Sequence, residues 1–197
     1  MDTPGIIKII QDSHPELNKF IARVDPVEPL TTLNISVLDA VSHIVIGQML
    51  SRKAAQTIIN KTVKLSIEKK LPGIGSLSDS ELRLCGLSRR KAKSIYLFAD
   101  FYHKNRSEIE NWRNLSEADL YTQVRQHWGL SDWSAAMLGI FYFGLEDIFP
   151  FGDGSIKRAI KILESINIPI NPQLVAPYRS YLALYIWKFL DNNLFDA

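Results

Sequence analysis

"HWGLSDWSAAML", residues 127–138, is the stretch that decides the fold. Gly129 marks a tight turn, and Ser131 or Asp132 supplies a side chain preferred at a helix N-cap. The residues that follow, as far as Phe143, are apolar on nearly every side of a helix. A helix of that kind is buried at the centre of a protein. The stretch therefore predicts a short hairpin that leads into a buried central helix.

Helix start signals recur along the rest of the chain. A Ser or Thr followed three residues later by Asp or Glu can cap a helix reciprocally. Pairs of this kind precede apolar residues at helical spacing at Ser13–Glu16, Ser36–Asp39, Ser78–Glu81, Ser107–Glu110 and Ser116–Asp119. No stretch alternates with period two for long enough to predict a strand. We therefore predict an all-α protein.

Composition sets the class of protein. The 197 residues suffice for one domain or two small lobes, and the net charge of +2 is too small to indicate nucleic acid by itself. The single cysteine, Cys85, excludes a disulfide framework and a cysteine-held iron–sulfur cluster, and the four histidines lack metal-ligand spacing. The longest apolar run, residues 135–145, is too short to span a bilayer, and the first residues lack signal-peptide features. A soluble intracellular protein is expected.

One acid stands in an unusual setting. The segment FPFGDGSIKRAI, residues 149–160, places Asp153 between two glycines, directly before a basic helix. Glycines let the backbone approach a bulky group closely. Asp153 is therefore either a plain N-cap or the working acid of an active site, and capping does not exclude catalysis.

A second glycine-rich loop is LPGIG, Leu71–Gly75. A hairpin of this type between helices can present backbone N–H groups to a DNA phosphate. The next N-cap, however, is Ser78, so no helix starts directly after the loop. The spacing favours a plain Pro/Gly loop between helices.

Taken together, the motifs resemble a known family. The order GLSDWSAAM, then FP-x-x-D, then Arg is similar to the helix–hairpin–helix DNA glycosylase superfamily, within which the alkylbase, or 3-methyladenine, glycosylase II family is the most similar. The stretches IVIGQMLSRKAA, LRLCGLSRRKAKSI and PYRSYLALYIW also resemble that family. The likeness runs from about Asp39 to the end of the chain. One departure is Gly129-Leu130-Ser131, where the family hairpin usually has Gly-x-Gly.

The resemblance implies an architecture and a catalytic acid. It implies two helical lobes with the active-site cleft between them: lobe A at about 1–36 plus 155–197, and lobe B at about 37–154, with the hairpin at 128–134. It places the family's catalytic Asp on Asp153. A fixed carboxylate under the sugar stabilises the positive charge that develops as an N-glycosidic bond breaks.

The resemblance also implies how the base is held. Bifunctional members attack the sugar with a lysine directly after the hairpin, and Trp133 stands at that position, which implies a monofunctional enzyme. Trp133, Trp187 and Met137 match the base pocket, although core packing is the default for a tryptophan. Met49, in the turn Gln48-Met49-Leu50, matches the residue that fills the gap left by a flipped nucleotide. An apolar Met at such a turn can equally be a core residue.

DNA contacts are predicted from first helical turns and from the hairpin. Basic residues in first turns oppose the helix dipole, which favours an anion nearby, although a solvated basic face is the alternative. The predicted DNA-contacting residues are Gln48, Ser51, Arg52, Lys53, Arg89, Gly129, Ser131, Lys157 and Arg158. Hairpins of the family often hold a structural monovalent cation, here expected as Na⁺ or K⁺ on the backbone near Gly129 and Ser131.

The predicted function is excision of alkylated purines, of the 3-methyladenine and 7-methylguanine type, from double-stranded DNA in base-excision repair. The expected enzyme is a monomer without lyase activity, in the cytoplasm or nucleoid of a bacterium or the nucleus of a eukaryote. Two alternatives remain open. One is a glycosylase for another lesion, such as hypoxanthine or uracil, and the other is a non-catalytic DNA-binding module.

Overall fold

The computed structural model describes residues 2–195, in which helices joined by loops are the regular secondary structure. The α-helices are α1 (Thr3–Ser13), α2 (Asn18–Ile21), α3 (Val37–Gly47), α4 (Arg52–Glu68), α5 (Asp79–Leu84), α6 (Arg89–Lys104), α7 (Arg106–Glu110), α8 (Glu117–Val124), α9 (Asp132–Phe141), α10 (Gly154–Ser165) and α11 (Arg179–Asp191). Short 3-10 helices lie at Pro15–Leu17, Ile74–Ser76, Asn111–Asn114 and Pro172–Val175. No strand occurs within residues 2–195, so the all-α prediction is confirmed. Within that range no helix is long and apolar enough to cross a membrane.

The chain forms two compact units. The terminal unit joins the chain up to Thr32 to the chain from Gly139 onward, and the middle unit is Leu33–Leu138. Residues 139–154, assigned to lobe B from the sequence, therefore lie in the terminal unit. They are tied to the start of α11: the Ser180 hydroxyl donates to Leu145 O (2.7 Å), and Arg179 Nε donates to an Asp147 carboxylate oxygen (2.6 Å).

The core of the terminal unit is built by α1, α10 and α11. Apolar residues at helical spacing on α10 are buried, among them Ile156, Ala159 and Leu163. They pack in one cluster with Ile6 and Ile10 of α1 and with the apolar residues of α11. This packing fixes the N-terminus of α10, where Asp153 lies.

The core of the middle unit lies along α3 and α6. An apolar stripe on α6 is buried at Ala92, Ile95, Phe98, Ala99 and Tyr102. The start of α3 is held by Glu110, whose carboxylate accepts from Val37 N–H (3.0 Å) and from the Tyr102 hydroxyl (2.6 Å).

Of the five capping pairs predicted from the sequence, three are N-caps in the structure. Ser36, Ser78 and Ser116 each accept the backbone N–H three residues later, and Ser78 forms a full capping box with Glu81. The predictions at Ser13 and Ser107 are wrong, because Ser13 ends α1 and Ser107 lies inside α7. Pro15 explains the first case, since it restarts the chain as a separate 3-10 turn.

The LPGIG loop packs against the start of α3. Gly75 N–H donates to Asp39 Oδ1 (3.0 Å), so this amide is used within the chain. A Cβ at Gly75 would overlap the Leu38 side chain, and one at Gly73 would overlap the Asp39 carboxylate. The glycines of the loop thus serve close packing, in agreement with the plain-loop interpretation.

A buried histidine predicts how stability depends on pH. His14 is 3% exposed, and its Nε2 accepts Asn171 N–H (3.1 Å), which requires the neutral ring. Burial lowers its pKa below 6.5. Because the unfolded chain takes up the proton first, His14 contributes stability above pH 6.5 that is lost as pH falls through its folded pKa.

We therefore expect the unfolding free energy to fall from pH 7 to pH 5, with a shallower slope in His14→Gln. Gln can accept the same N–H without titrating. Urea denaturation at several pH values measures both slopes. Equal slopes would contradict the role given to His14.

Candidate functional site

Asp153 is held rigidly at the N-terminus of α10. Its Oδ1 accepts Ser155 N–H and Ile156 N–H, both at 2.9 Å, which makes it the N-cap of the helix. The same oxygen accepts Trp187 Nε1–H at 3.2 Å. The cap interpretation is therefore correct, but a cap does not need the indole of a second helix. The added donor holds the carboxylate in one orientation.

The glycines beside Asp153 leave open space. A Cβ at Gly152 or at Gly154 would meet no atom of the described chain, residues 2–195, within 4 Å. Neither has the positive φ that would require glycine. Packing and backbone conformation therefore do not explain these two glycines, and the space beside the backbone on either side of Asp153 is open.

Trp187 has an aromatic neighbour that the sequence did not single out. The Phe141 ring lies 5.5 Å from the Trp187 ring, tilted by 34°, and Phe141 is 41% exposed. Tyr142 follows Phe141 in the sequence. Burial raises the pKa of Tyr142 to about 12, so the Tyr142 phenol stays neutral at physiological pH. Both residues belong to the apolar run after the hairpin, which was interpreted only as core.

Trp133 and Met137 lie one turn apart on α9, so they share a face of that helix. Trp133 is half-buried and Met137 is buried. Both belong to the middle unit, whereas Asp153 and Trp187 belong to the terminal unit. The structure brings the members of each pair together, and the pocket of all four residues stays a prediction.

Met49 is fully exposed, with a relative accessibility of 101%, so the core interpretation is wrong. Its φ is 57°, a left-handed conformation that non-glycine residues seldom adopt. The turn Gln48-Met49-Leu50, called the wedge turn below, joins α3 to α4. Ser51 then caps α4 by accepting Ala54 N–H (3.3 Å).

The hairpin is braced from the wedge turn and from α6. Gln48 Nε2–H donates to Gly129 O (3.0 Å), and the Ser94 hydroxyl donates to Trp128 O (2.9 Å). Gly129 has a φ of 83°, and a Cβ there would lie 2.5 Å from Ser94 Oγ. Ser131 has no positive φ, so its serine is compatible with the turn.

The backbone carbonyls of the hairpin are the expected ligands of the predicted cation. Those of Trp128 and Gly129 already accept side-chain donors. Within residues 2–195, no group of three His, Cys, Asp or Glu residues is placed to hold a metal. The Na⁺ or K⁺ ion on the hairpin backbone stays a prediction.

The predicted cationic contacts are exposed, whereas Lys91, two residues after Arg89 on α6, is half-buried. At the starts of α4, α6 and α10, the exposed basic residues are Arg52, Lys53, Arg89, Arg90, Lys157 and Arg158. Lys157 and Arg158 line, with Lys161, a groove of about 460 Å³. Lys91 instead directs its ammonium to two carbonyls of the middle unit, Ile46 O and Gln48 O.

Known proteins similar to this chain are DNA glycosylases. The chain is 26% identical over 194 residues to DNA-3-methyladenine glycosylase 1 of Schizosaccharomyces pombe, covering 93% of this chain and 79% of that protein. No protein-family model matches the chain.

Solved structures show the same fold. The structure of the Schizosaccharomyces pombe 3-methyladenine DNA glycosylase Mag1 in complex with abasic DNA matches with a TM-score of 0.74 and 24% identity, over 90% of each chain. A DNA-3-methyladenine glycosidase from Bacillus halodurans matches with a TM-score of 0.71 and 23% identity, over 93% of this chain and 88% of that one. The chain therefore has the all-α fold of these glycosylase structures.

Proposed function

We propose that the chain is a monofunctional DNA glycosylase of the 3-methyladenine glycosylase II type, which excises alkylated purines from double-stranded DNA. The observation that carries the proposal is the Asp153 carboxylate, held by two backbone N–H groups and by Trp187 Nε1. The names of the similar proteins support the substrate class. Release of free bases from methylated duplex DNA, measured for the wild type and for Asp153→Asn, is the test.

Asp153 supplies a fixed negative charge to the reaction. As the bond from C1′ to the base nitrogen breaks, its electron pair leaves with the base and positive charge develops on the sugar. The carboxylate stabilises that charge and orients or deprotonates the attacking water. Water adds its oxygen to C1′, and the products are a free base and an abasic site.

The leaving base needs little further help when it is alkylated. Alkylation at N3 or N7 makes the purine cationic, so it leaves as a neutral molecule without an added proton. The electron-rich faces of Trp133 and of Trp187 each suit a cationic base, because indole faces attract cations. A neutral base such as uracil gains neither advantage.

DNA is held through the exposed cations and the hairpin. Arg52, Lys53 and Arg89 extend from first turns of the middle unit, and Lys157 and Arg158 from the first turn of α10. Contacts of this kind bind phosphates without reading the sequence. The glycosylase acts as a monomer on this proposal, and Gln48 contributes by bracing the hairpin at Gly129.

The presence of Trp133 directly after the hairpin leads to an expectation for borohydride trapping of a covalent enzyme–DNA adduct. No amine stands at this position after the hairpin, so borohydride should trap no covalent adduct between enzyme and DNA. Strand cleavage should appear only after alkali or a second enzyme. A bifunctional glycosylase treated in parallel shows that trapping works. An adduct with this protein would mean that an amine attacks the sugar.

Removal of the Met49 side chain is expected to weaken DNA binding without lowering the stability of the protein. We expect Met49→Ala to bind an abasic-site duplex roughly tenfold more weakly, because the plug that offsets about 1.4 kcal/mol of unstacking is gone. The stability should change by less than about 0.5 kcal/mol, since the side chain is fully exposed.

The matched control for Met49→Ala is Leu84→Ala, which removes another exposed apolar side chain of the middle unit, 84% accessible. It should leave binding unchanged. Equal losses in both variants would show that exposed apolar area in general, rather than insertion by Met49, affects binding.

A further inference from the structure

The wedge turn is an unfavourable piece of backbone in the free protein. Met49 has a φ of 57° and an exposed side chain, so burial does not offset the strain. Such a conformation persists only where neighbouring groups over-determine it. The contacts of the turn therefore show what keeps Met49 in place.

Lys91 makes the shortest of these contacts. Its Nζ donates to Ile46 O at 2.8 Å and to Gln48 O at 2.6 Å. Ile46 lies in the last turn of α3, whose carbonyls lack helical partners and carry the negative end of the helix dipole. The Gln48 carbonyl belongs to the peptide group that joins Gln48 to Met49. The ammonium thus fixes the orientation of the peptide plane from which Met49 projects.

The position of Lys91 on α6 explains its unusual direction. Ile95, Phe98 and Tyr102 follow it at intervals of four, seven and eleven residues, and all three are buried. Lys91 is therefore on the core-facing side of the helix, and desolvation lowers its pKa. Its neighbours Arg89 and Arg90 are exposed instead.

We propose that Lys91 is a positioning residue that holds the wedge turn, and through it Met49, in the conformation that enters DNA. The assignment rests on the proposed function of Met49. Gln48 holds the turn from the other side by donating to Gly129 O of the hairpin (3.0 Å). Ordering the turn before DNA arrives removes part of the entropy that insertion would otherwise cost.

A double-mutant cycle distinguishes positioning from a phosphate contact. Lys91→Met should weaken binding to an abasic-site duplex roughly tenfold, the factor that ~1.4 kcal/mol corresponds to. In the Met49→Ala background the same change should have almost no further effect, because the side chain that it positions is gone. Additive losses would overturn the proposal.

Salt dependence gives a second criterion with a matched control. Arg89→Gln, which removes an exposed cation two residues away, should lower the slope of log K against log salt by about one. Lys91→Met should leave that slope unchanged. A slope lowered as in Arg89→Gln would overturn the proposal, because Lys91 would then contact phosphate.

A third experiment needs no DNA. Leu50 N–H donates to Gly47 O (3.2 Å) across the turn, and hydrogen exchange reports how often that bond opens. In free Lys91→Met we expect roughly tenfold faster exchange at Leu50, which ~1.4 kcal/mol of lost turn stability would produce. Unchanged exchange would overturn the assignment.

The three experiments distinguish a failure of the proposed function from a failure of the role proposed for Lys91. A wild-type protein that releases no base would contradict the proposed function, while the exchange result would still test the turn. Where Lys91→Met does not fold, Lys91→Gln, which keeps an N–H donor, takes its place with a smaller expected loss. Unfolding of both variants would overturn the proposal, because Lys91 would then be a residue of the fold.

Discussion

Asp153→Asn is expected to release alkylpurines at least about a hundredfold more slowly than the wild type, as single charge-stabilising groups contribute in other enzymes. Binding to abasic-site DNA should stay as tight or become tighter, because one negative charge near phosphates is gone. Asn is as good an N-cap as Asp, and its amide oxygen can accept the same donors from Ser155, Ile156 and Trp187. The fold should therefore survive, and the loss of activity should reflect the lost charge alone.

Two control variants sharpen this result. Glu164→Gln neutralises an exposed carboxylate on the same helix, α10, and should leave excision near the wild-type rate. Asp153→Ala removes both charge and cap, so it should lower stability by about 1 kcal/mol in addition to activity. Near-wild-type excision by Asp153→Asn would mean that Asp153 only caps the helix.

Substitutions of Trp187 are expected to have two separable effects on excision, because the indole both donates a hydrogen bond and offers an aromatic face. Nε1 donates to Asp153 Oδ1 at 3.2 Å, and the ring offers an aromatic face beside Phe141. Trp187→Phe removes the N–H and keeps a face, so it should slow excision of cationic and neutral bases alike. Trp187→Ala also removes the face and should slow a cationic alkylpurine roughly 30-fold more than neutral hypoxanthine, from a cation–π contact of ~2 kcal/mol.

Single-turnover rates on defined duplexes measure these effects, with thermal melting of each variant to correct for the folded fraction. The ratio of the rates on cationic and neutral substrates is the deciding quantity, because a general loss of structure affects both substrates equally. A ratio that is unchanged in Trp187→Ala would mean that shape rather than charge selects the base.

Much of the fold was predictable because it depends on local signals. The caps at Ser36, Ser78 and Ser116 and the buried stripe on α6 follow from patterns within a few residues. The boundary between the units could not be predicted from local patterns. Residues 139–154 are held by Ser180 and Arg179, which lie far along the chain.

The candidate site shows the same division between local and distant information. The sequence indicated Asp153 as a cap or an acid, but only the structure shows the donor from Trp187, 34 residues later. Lys91 follows Arg89 and Arg90 in one run of basic residues, although its spacing to Ile95 and Tyr102 indicates a core-facing position. Applying helical periodicity to charged as well as apolar residues predicts the core-facing position of Lys91.

The most direct test of the central claim is release of bases by the wild-type protein from three matched duplexes, one with 7-methylguanine, one with uracil and one undamaged. Under single-turnover conditions the account predicts free 7-methylguanine and an alkali-labile abasic site, with much slower release of uracil and none from undamaged DNA. Tight binding to all three duplexes without any released base would contradict the account, since it would identify a DNA-binding module rather than a glycosylase. Faster release of uracil than of 7-methylguanine would contradict the claim that a cationic base is selected.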